Sequence, residues 1–397
     1  MRGETAEERA GLTRRAVHAG TGKDTVTCDA WLWASAAVAS GYVSCLKLIS
    51  LVGIEALWTA SARELREWGL RTRTALALVA HRDSFNSDAV TKQLTNTSVH
   101  FISPSHRSFP SPLKDLADPP AGLYLKGELG LWDDAMGMAR VTIVGTRAAS
   151  RYGFGVAGAL GRSFATVGCV VVSGLARGID AAAHRGALEV GGLTVAVLGT
   201  GPDVVYPRQH ASLYREVEQR GVLVSEYPPG TSAAKWHFPT RNRLMAALGD
   251  AVVVVEAGRR SGALLTADEA LTLGRDVFAV PGPISSPASR GCNVLAADGA
   301  RIVYDVEQCV KEYEALTRIE RSGRAVKTPC AKAERRGGPA GVLGRLVVQA
   351  LSCGPRSVDE VAQAVGCAPR EVAAALALLE LDGLVGREGV GVYVLSP

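Results

Sequence analysis

No two cysteines in this sequence stand at the two-residue spacing of a zinc knuckle or a redox site. The eight fall singly at 28, 45, 169, 292, 309, 330, 353 and 367, and the seven histidines are equally scattered. Metal sites need ligands at short, repeated spacings, so no metal is expected. The cysteines read instead as small buried apolar residues in a reducing cytosol. The first 27 residues mix acids and bases without an apolar core, unlike a signal peptide. One uncharged stretch, 30–46, carries serines and a glycine and falls short of the roughly 20 apolar residues of a membrane span. No membrane association and a cytoplasmic location follow. A Walker A sequence is missing too. His184 stands one helical turn after Asp180, but no hydroxyl or thiol nucleophile accompanies it. It reads as structural. The chain is expected not to be an enzyme and to need no cofactor.

What is present describes a folded protein: 397 residues, 47% apolar, 21% charged, with a mildly basic net charge of +5. That length implies two or three domains. Residues 1–27 read as a flexible extension. Residues 28–100 read as a helical domain of the SAM or helix-hairpin-helix type, with turns at Gly41, Gly53 and Gly69 and a serine cap at Ser61. Residues 101–310 form the main domain, entered through a Ser/Pro-rich stretch and one short edge strand at 123–127. Residues 311–338 hold twice as many basic as acidic residues and read as a linker. Residues 339–397 give three helices and a hairpin, a winged helix, with Ser357-Val-Asp-Glu360 as a capping box.

Within the main domain, continuous Val/Ile/Ala/Leu runs at 141–144, 169–173, 194–198, 222–225, 251–256 and 277–280 alternate with helical patterns. Runs apolar on both faces belong to a parallel sheet covered on both sides. The fold class is therefore α/β, a Rossmann-like doubly wound sheet, whose ligands lie at the carboxyl ends of the strands. Gly153-Phe-Gly-Val-Ala-Gly158 satisfies the dinucleotide pattern literally. It begins inside the helix after the first strand, so it cannot form the strand-to-helix turn, and no acid ends the second strand.

The strand ends instead carry glycine turns and arginines. The first ends in Gly145-Thr-Arg147. The second ends in Ser173-Gly174-Leu-Ala-Arg177-Gly178, a turn into a helix whose free N–H groups favour a phosphate. After the fourth strand comes Phe238-Pro-Thr-Arg241-Asn242-Arg243, and the fifth leads to Ser261-Gly262 at another helix start. Each arginine alone has a plain structural reading: capping a carbonyl, pairing with Asp180 or Glu256, or facing water. Several on one sheet edge read better as a shared anion site. Phe238 beside a proline is placed either to stack on a base or in the core.

In order and spacing, these motifs resemble the DNA-processing protein A family, also called Smf (DprA). The likeness runs from Gly145-Thr-Arg147 through Ser173-Gly-Leu-Ala-Arg-Gly-Ile-Asp-Ala-Ala-Ala-His184, Gly199-Thr-Gly201 and Tyr206-Pro207. It continues through Ser225-Glu226-Tyr-Pro-Pro-Gly230, Phe238 to Arg243 and Ser261-Gly-Ala-Leu-Leu-Thr-Ala267 to Gly291-Cys-Asn-Val-Leu295. The resemblance implies a protein that binds single-stranded DNA, acts as a homodimer, protects incoming DNA during natural transformation and loads the RecA recombinase. It implies phosphate contacts at Arg147, Arg177, Arg241 and Arg243, and a pocket shaped by Ser173, Gly174, Phe238 and Asn242. Arg177 stands where the family often has lysine.

Two other readings compete. A nucleoside-monophosphate phosphoribohydrolase would use a glycine-rich turn where Ser261 to Glu269 stands. Thr266 and Glu269 fit, but Ala263 and Leu265 replace the glycines that bring backbone against phosphate. A duplex-reading winged helix would use the helix at 369–381, which carries Arg370 but is otherwise too apolar for a groove.

Overall fold

The computed structural model describes residues 22–42, 44–325, 347, 350–351, 356–365, 369–381, 385–387 and 392–395. The chain divides after Ile319 into two compact units. The strands of the first are β1 (Val99–Ile102), β2 (Leu123–Gly127), β3 (Arg140–Val144), β4 (Val170–Ser173), β5 (Thr194–Leu198), β6 (Val222–Ser225), β7 (Ala251–Val254), β8 (Asp276–Ala279) and β9 (Arg301–Ile302). They form one sheet in the order β1-β2-β6-β5-β4-β3-β7-β8-β9. From β6 to β9 every pairing is parallel, while β2 joins β6 and β1 antiparallel.

Side chains alternate between two cores, as the period of two requires. Val170, Val172, Val252 and Val254 enter one, with Leu244, Met245 and Ala267 from the helices His237–Leu248 and Gly262–Thr272. Val171, Val141, Ile143 and Val253 enter the other, with Leu160, Phe164 and Ala183 from Arg151–Thr166 and Ile179–Glu189. Burying each such valine or leucine contributes about 1.5–3 kcal/mol. Both faces are therefore spent on packing, and only the strand ends are left for a ligand. Gly153, Gly155 and Gly158 lie within the Arg151–Thr166 helix, away from any strand-to-helix turn.

Three segments differ from expectation. The strand at 123–127 is not an edge: it sits between β6 and β1, and the mixed Val-His-Phe-Ile character of β1 hides that strand in the sequence. The first helix, Gly22–Ala39, begins inside the presumed extension, and residues 1–21 lie outside those described. At the other end, residues 311–325 are not linker but continue the helix Val306–Ala325, whose Tyr313 is buried against Phe164 and Cys169. The rest of the presumed linker lies outside the described residues.

The N-terminal helices turn at Gly41, Gly53 and Gly69, all at positive φ, and Ser61 and Glu64 form a full capping box. Trp31, Leu32 and Trp33, from the uncharged stretch weighed as a span, fill a core that also takes in Phe101 of β1 and Tyr124 of β2. No helix among the described residues is long and apolar enough to cross a membrane. Of the cysteines, Cys45, Cys169, Cys292 and Cys309 are buried and Cys28 is half-buried, while Cys330, Cys353 and Cys367 lie outside the described residues.

In the second unit the helices Val358–Val365 and Pro369–Leu381 are accompanied by β10 (Arg356–Ser357), β11 (Val385–Arg387) and β12 (Val392–Leu395), ordered β10-β12-β11. Ser357 and Glu360 make the predicted capping box. Val361, Val372, Leu376, Leu379 and Tyr393 form its core.

Candidate nucleic-acid interface

The chain winds outward from β3 through β4, β5 and β6, then crosses back to place β7 on the other side of β3. Two neighbouring strands whose connections leave in opposite directions open a crevice at their carboxyl ends. Two adjoining cavities lie there. One, of about 140 Å³, is lined by Gly174, Arg177, Gly199, Thr200, Pro207 and Gln209. The other, of about 470 Å³, is lined by Gly145, Thr146, Lys235, Arg241, Asn242, Ser261, Gly262 and Thr266. Arg147, Ala176, Tyr206 and Phe238 line both.

That shared wall is the chemically distinctive part. The Arg147 guanidinium carbon sits 4.7 Å from the centre of the Phe238 ring, a cation–π contact. Tyr206 also lies against Phe238, ring centres 5.3 Å apart and ring planes tilted by 35°. Arg147, Arg177 and Tyr206 are exposed and Phe238 is half-buried. An exposed guanidinium beside a half-buried aromatic ring at a cavity wall combines the groups that contact a phosphate and stack on a base.

The other predicted residues divide. Gly145, Gly174, Asn242, Ser261 and Gly262 line the cavities; Asn242 Nδ2 donates to Gly262 O at 3.0 Å, and the Ser261 hydroxyl caps the helix by accepting from Ala263 N. Ser173 does not reach a cavity: it is fully buried, its hydroxyl donating to Ile143 O at 2.6 Å. Gly178 also stands back. Its φ of 80° and the Thr146 carbonyl where a Cβ would sit explain the glycine by backbone packing. Gly174 is glycine because a Cβ would run into the Arg241 guanidinium, and its N–H goes to Asp180 Oδ2 at 3.1 Å rather than outward.

Two arginines are corrected. Arg243 is 5% exposed and lines neither cavity. Its guanidinium holds Glu226 at 2.6 Å and Asp118 at 3.1 Å. Burial works to lower its pKa, but the two carboxylates outweigh that and hold it above the usual value, while burial raises Glu226 against the pull of Arg243. It is a buried ion pair, not a phosphate contact. Arg241 is 3% exposed and donates to the carbonyls of Gly174 and Val197. Burial lowers it to about 10 while nearby Asp180 opposes, so it stays charged at neutral pH, in the cavity wall rather than on the surface. Tyr206, Lys235 and Thr200 join the site although the arginine pattern did not single them out. Tyr206 stands beside a proline after β5, and Lys235 three residues before Phe238.

His184 is fully buried and pairs not with Asp180 but with Thr194, Nδ1 to Oγ1 at 2.7 Å. The Thr194 hydroxyl donates to Val171 O, so Nδ1 carries a proton and donates to Thr194 Oγ1. Burial lowers the His184 pKa to about 3, with Arg241 adding. A base neutral when folded but titrating near 6.5 when unfolded contributes stability above that pH and loses it on acidification. We expect its share to fall by about 1.4 kcal/mol per pH unit below pH ~6. Urea unfolding at pH 7, 6 and 5 should show His184→Gln with a pH slope shallower by one proton.

The family model for DNA recombination-mediator protein A matches residues 100–314, and the DprA winged helix domain matches residues 334–389. The first match spans more than half of the chain, which therefore belongs to the DNA recombination-mediator protein A family. It is 44% identical over 268 residues to a putative DNA processing protein DprA of Mycobacterium tuberculosis, covering 64% of this chain and 66% of that protein. It is 39% identical over 252 residues to Protein Smf of Escherichia coli, covering 63% and 66%. The alignments thus span just under two thirds of these relatives' length. The solved DNA processing protein A of Streptococcus pneumoniae superposes with a TM-score of 0.59 at 34% identity, covering 67% of this chain and 90% of that one.

Proposed function

We propose that the chain binds single-stranded DNA along the carboxyl rim of its sheet, with Arg147 and Arg177 on phosphates and Phe238 under a base. The observation that carries this reading is the Arg147–Phe238 cation–π pair in the wall that the two cavities share. Membership of a recombination-mediator family supports extending it: the chain protects incoming strands, acts as a homodimer and loads the RecA recombinase during transformation. The phosphoribohydrolase reading is disfavoured by its acid. Glu269 is exposed and lines neither cavity.

Phosphates and ring faces carry no sequence code, so little sequence preference is expected. A paired duplex stacks its bases away from Phe238. Titrating labelled oligo-dT and a duplex of equal length should therefore give about tenfold tighter single-strand binding, the worth of one base stacked on an aromatic ring. Equal affinity for both would count against the site.

A further inference from the structure

Phe238 and Tyr206 meet in the shared wall, yet each is delivered by a loop without regular structure. Residues 199–207 after β5 bring Tyr206, and residues 226–236 after β6 lead to Phe238. Such loops hold one geometry only where something ties them. Here they are tied to each other. Gly201 N donates to Thr231 O at 2.9 Å, and Gly230 N donates to both carboxylate oxygens of Asp203, at 2.8 and 3.0 Å. The two loops pass too close for a side chain at Gly201, where a Cβ would stand 2.6 Å from Pro228 O. Gly230 turns at a φ of 82°, which glycine adopts without steric cost.

The same turn is held a second time, from the N-terminal helices. Gln93, in the helix Ser87–Thr97, donates from Nε2 to Pro229 O at 3.0 Å, across 136 residues of sequence. Gln93, Asp203 and Gly230 line neither cavity, so they act on a ligand only through the loops. A ring free to sample many positions binds a base less tightly, because association then bears the cost of ordering it. We propose that Gln93 is a positioning residue for the strand site. With Asp203 it clamps the Pro228–Gly230 turn and so fixes Phe238 against Tyr206 before a base arrives. The N-terminal helical region is thereby part of the binding device. This deepens the strand-binding reading and rests on it.

Anisotropy titration of the full chain with labelled oligo-dT, at two salt concentrations, tests the clamp through Gln93→Ala, Asp203→Ala and Asp203→Asn. We expect each alanine to weaken binding about threefold to tenfold, the worth of one hydrogen bond. The salt slope stays native, since no phosphate contact is lost. Asp203→Asn keeps an acceptor for Gly230 N and retains the native affinity. In a Phe238→Ala background the Gln93→Ala loss should disappear, because a clamp that works through the ring has nothing left to hold. Amide hydrogen exchange over 226–238 should quicken in Gln93→Ala while the sheet exchanges as before. Native affinity in both alanine variants overturns the proposal, as does a Gln93→Ala loss that persists undiminished without the Phe238 ring. If the native chain fails to bind oligo-dT, the strand-binding reading falls instead, and unchanged loop exchange in Gln93→Ala would then sink the clamp as well.

Discussion

Alanine at Arg243 is expected to lower the unfolding free energy by about 3–5 kcal/mol, because it leaves Glu226 charged and unpaired in the interior. Both side chains of that pair are only 7% exposed, so solvent screens little of the loss. Asp118, half exposed, can turn to water and adds little. Urea denaturation measures the effect directly. Replacing both partners, Arg243→Met with Glu226→Gln, should recover most of the stability, since burying two ions costs nearly what their attraction returns. Any loss of DNA binding by Arg243→Ala would then report misfolding. Wild-type stability of the single variant with binding abolished would return Arg243 to the contact surface.

The double variant Arg147→Ala with Arg177→Ala is expected to fold normally and to bind single strands about 10²-fold more weakly, at one charge-assisted hydrogen bond per guanidinium. Among the described residues neither guanidinium makes a hydrogen bond or an ion pair, and Arg147 lies against the Phe238 ring. Phe238→Ala acts by another route, removing the stacking face at about 1–3 kcal/mol per base. Its loss should persist at high salt, where the arginine effect shrinks. Anisotropy titrations at two salt concentrations separate the contributions. A Phe238→Ala defect that vanished with salt would mean the ring only props Arg147.

The sheet was legible because its strands are buried on both faces. Val170, Val171 and Val172 are apolar in succession, as a strand covered on both faces requires. β1 escaped because Val-His-Phe-Ile mixes polarity at the sheet margin, and with it the true edge. The rim glycines and Arg147 and Arg177 could be placed at strand ends by counting along the chain. Which way Arg241 and Arg243 face could not. They stand in a helix buried continuously from Arg241 to Leu248, and only the fold brings Asp180, Glu226 and Asp118 against it. The signal available was the all-apolar continuation Leu-Met-Ala-Ala-Leu, which marks a helix with no wet side and hence arginines in need of acids.

The central claim is that exposed guanidinium groups at the strand ends hold a sugar-phosphate backbone. It is tested most directly by the salt dependence of single-strand affinity for the native chain and for Arg147→Ala with Arg177→Ala. The slope of log affinity against log salt should fall in magnitude by about 1.4, at about 0.7 for each phosphate no longer neutralised. An unchanged slope in the folded double variant would place the backbone elsewhere on the molecule.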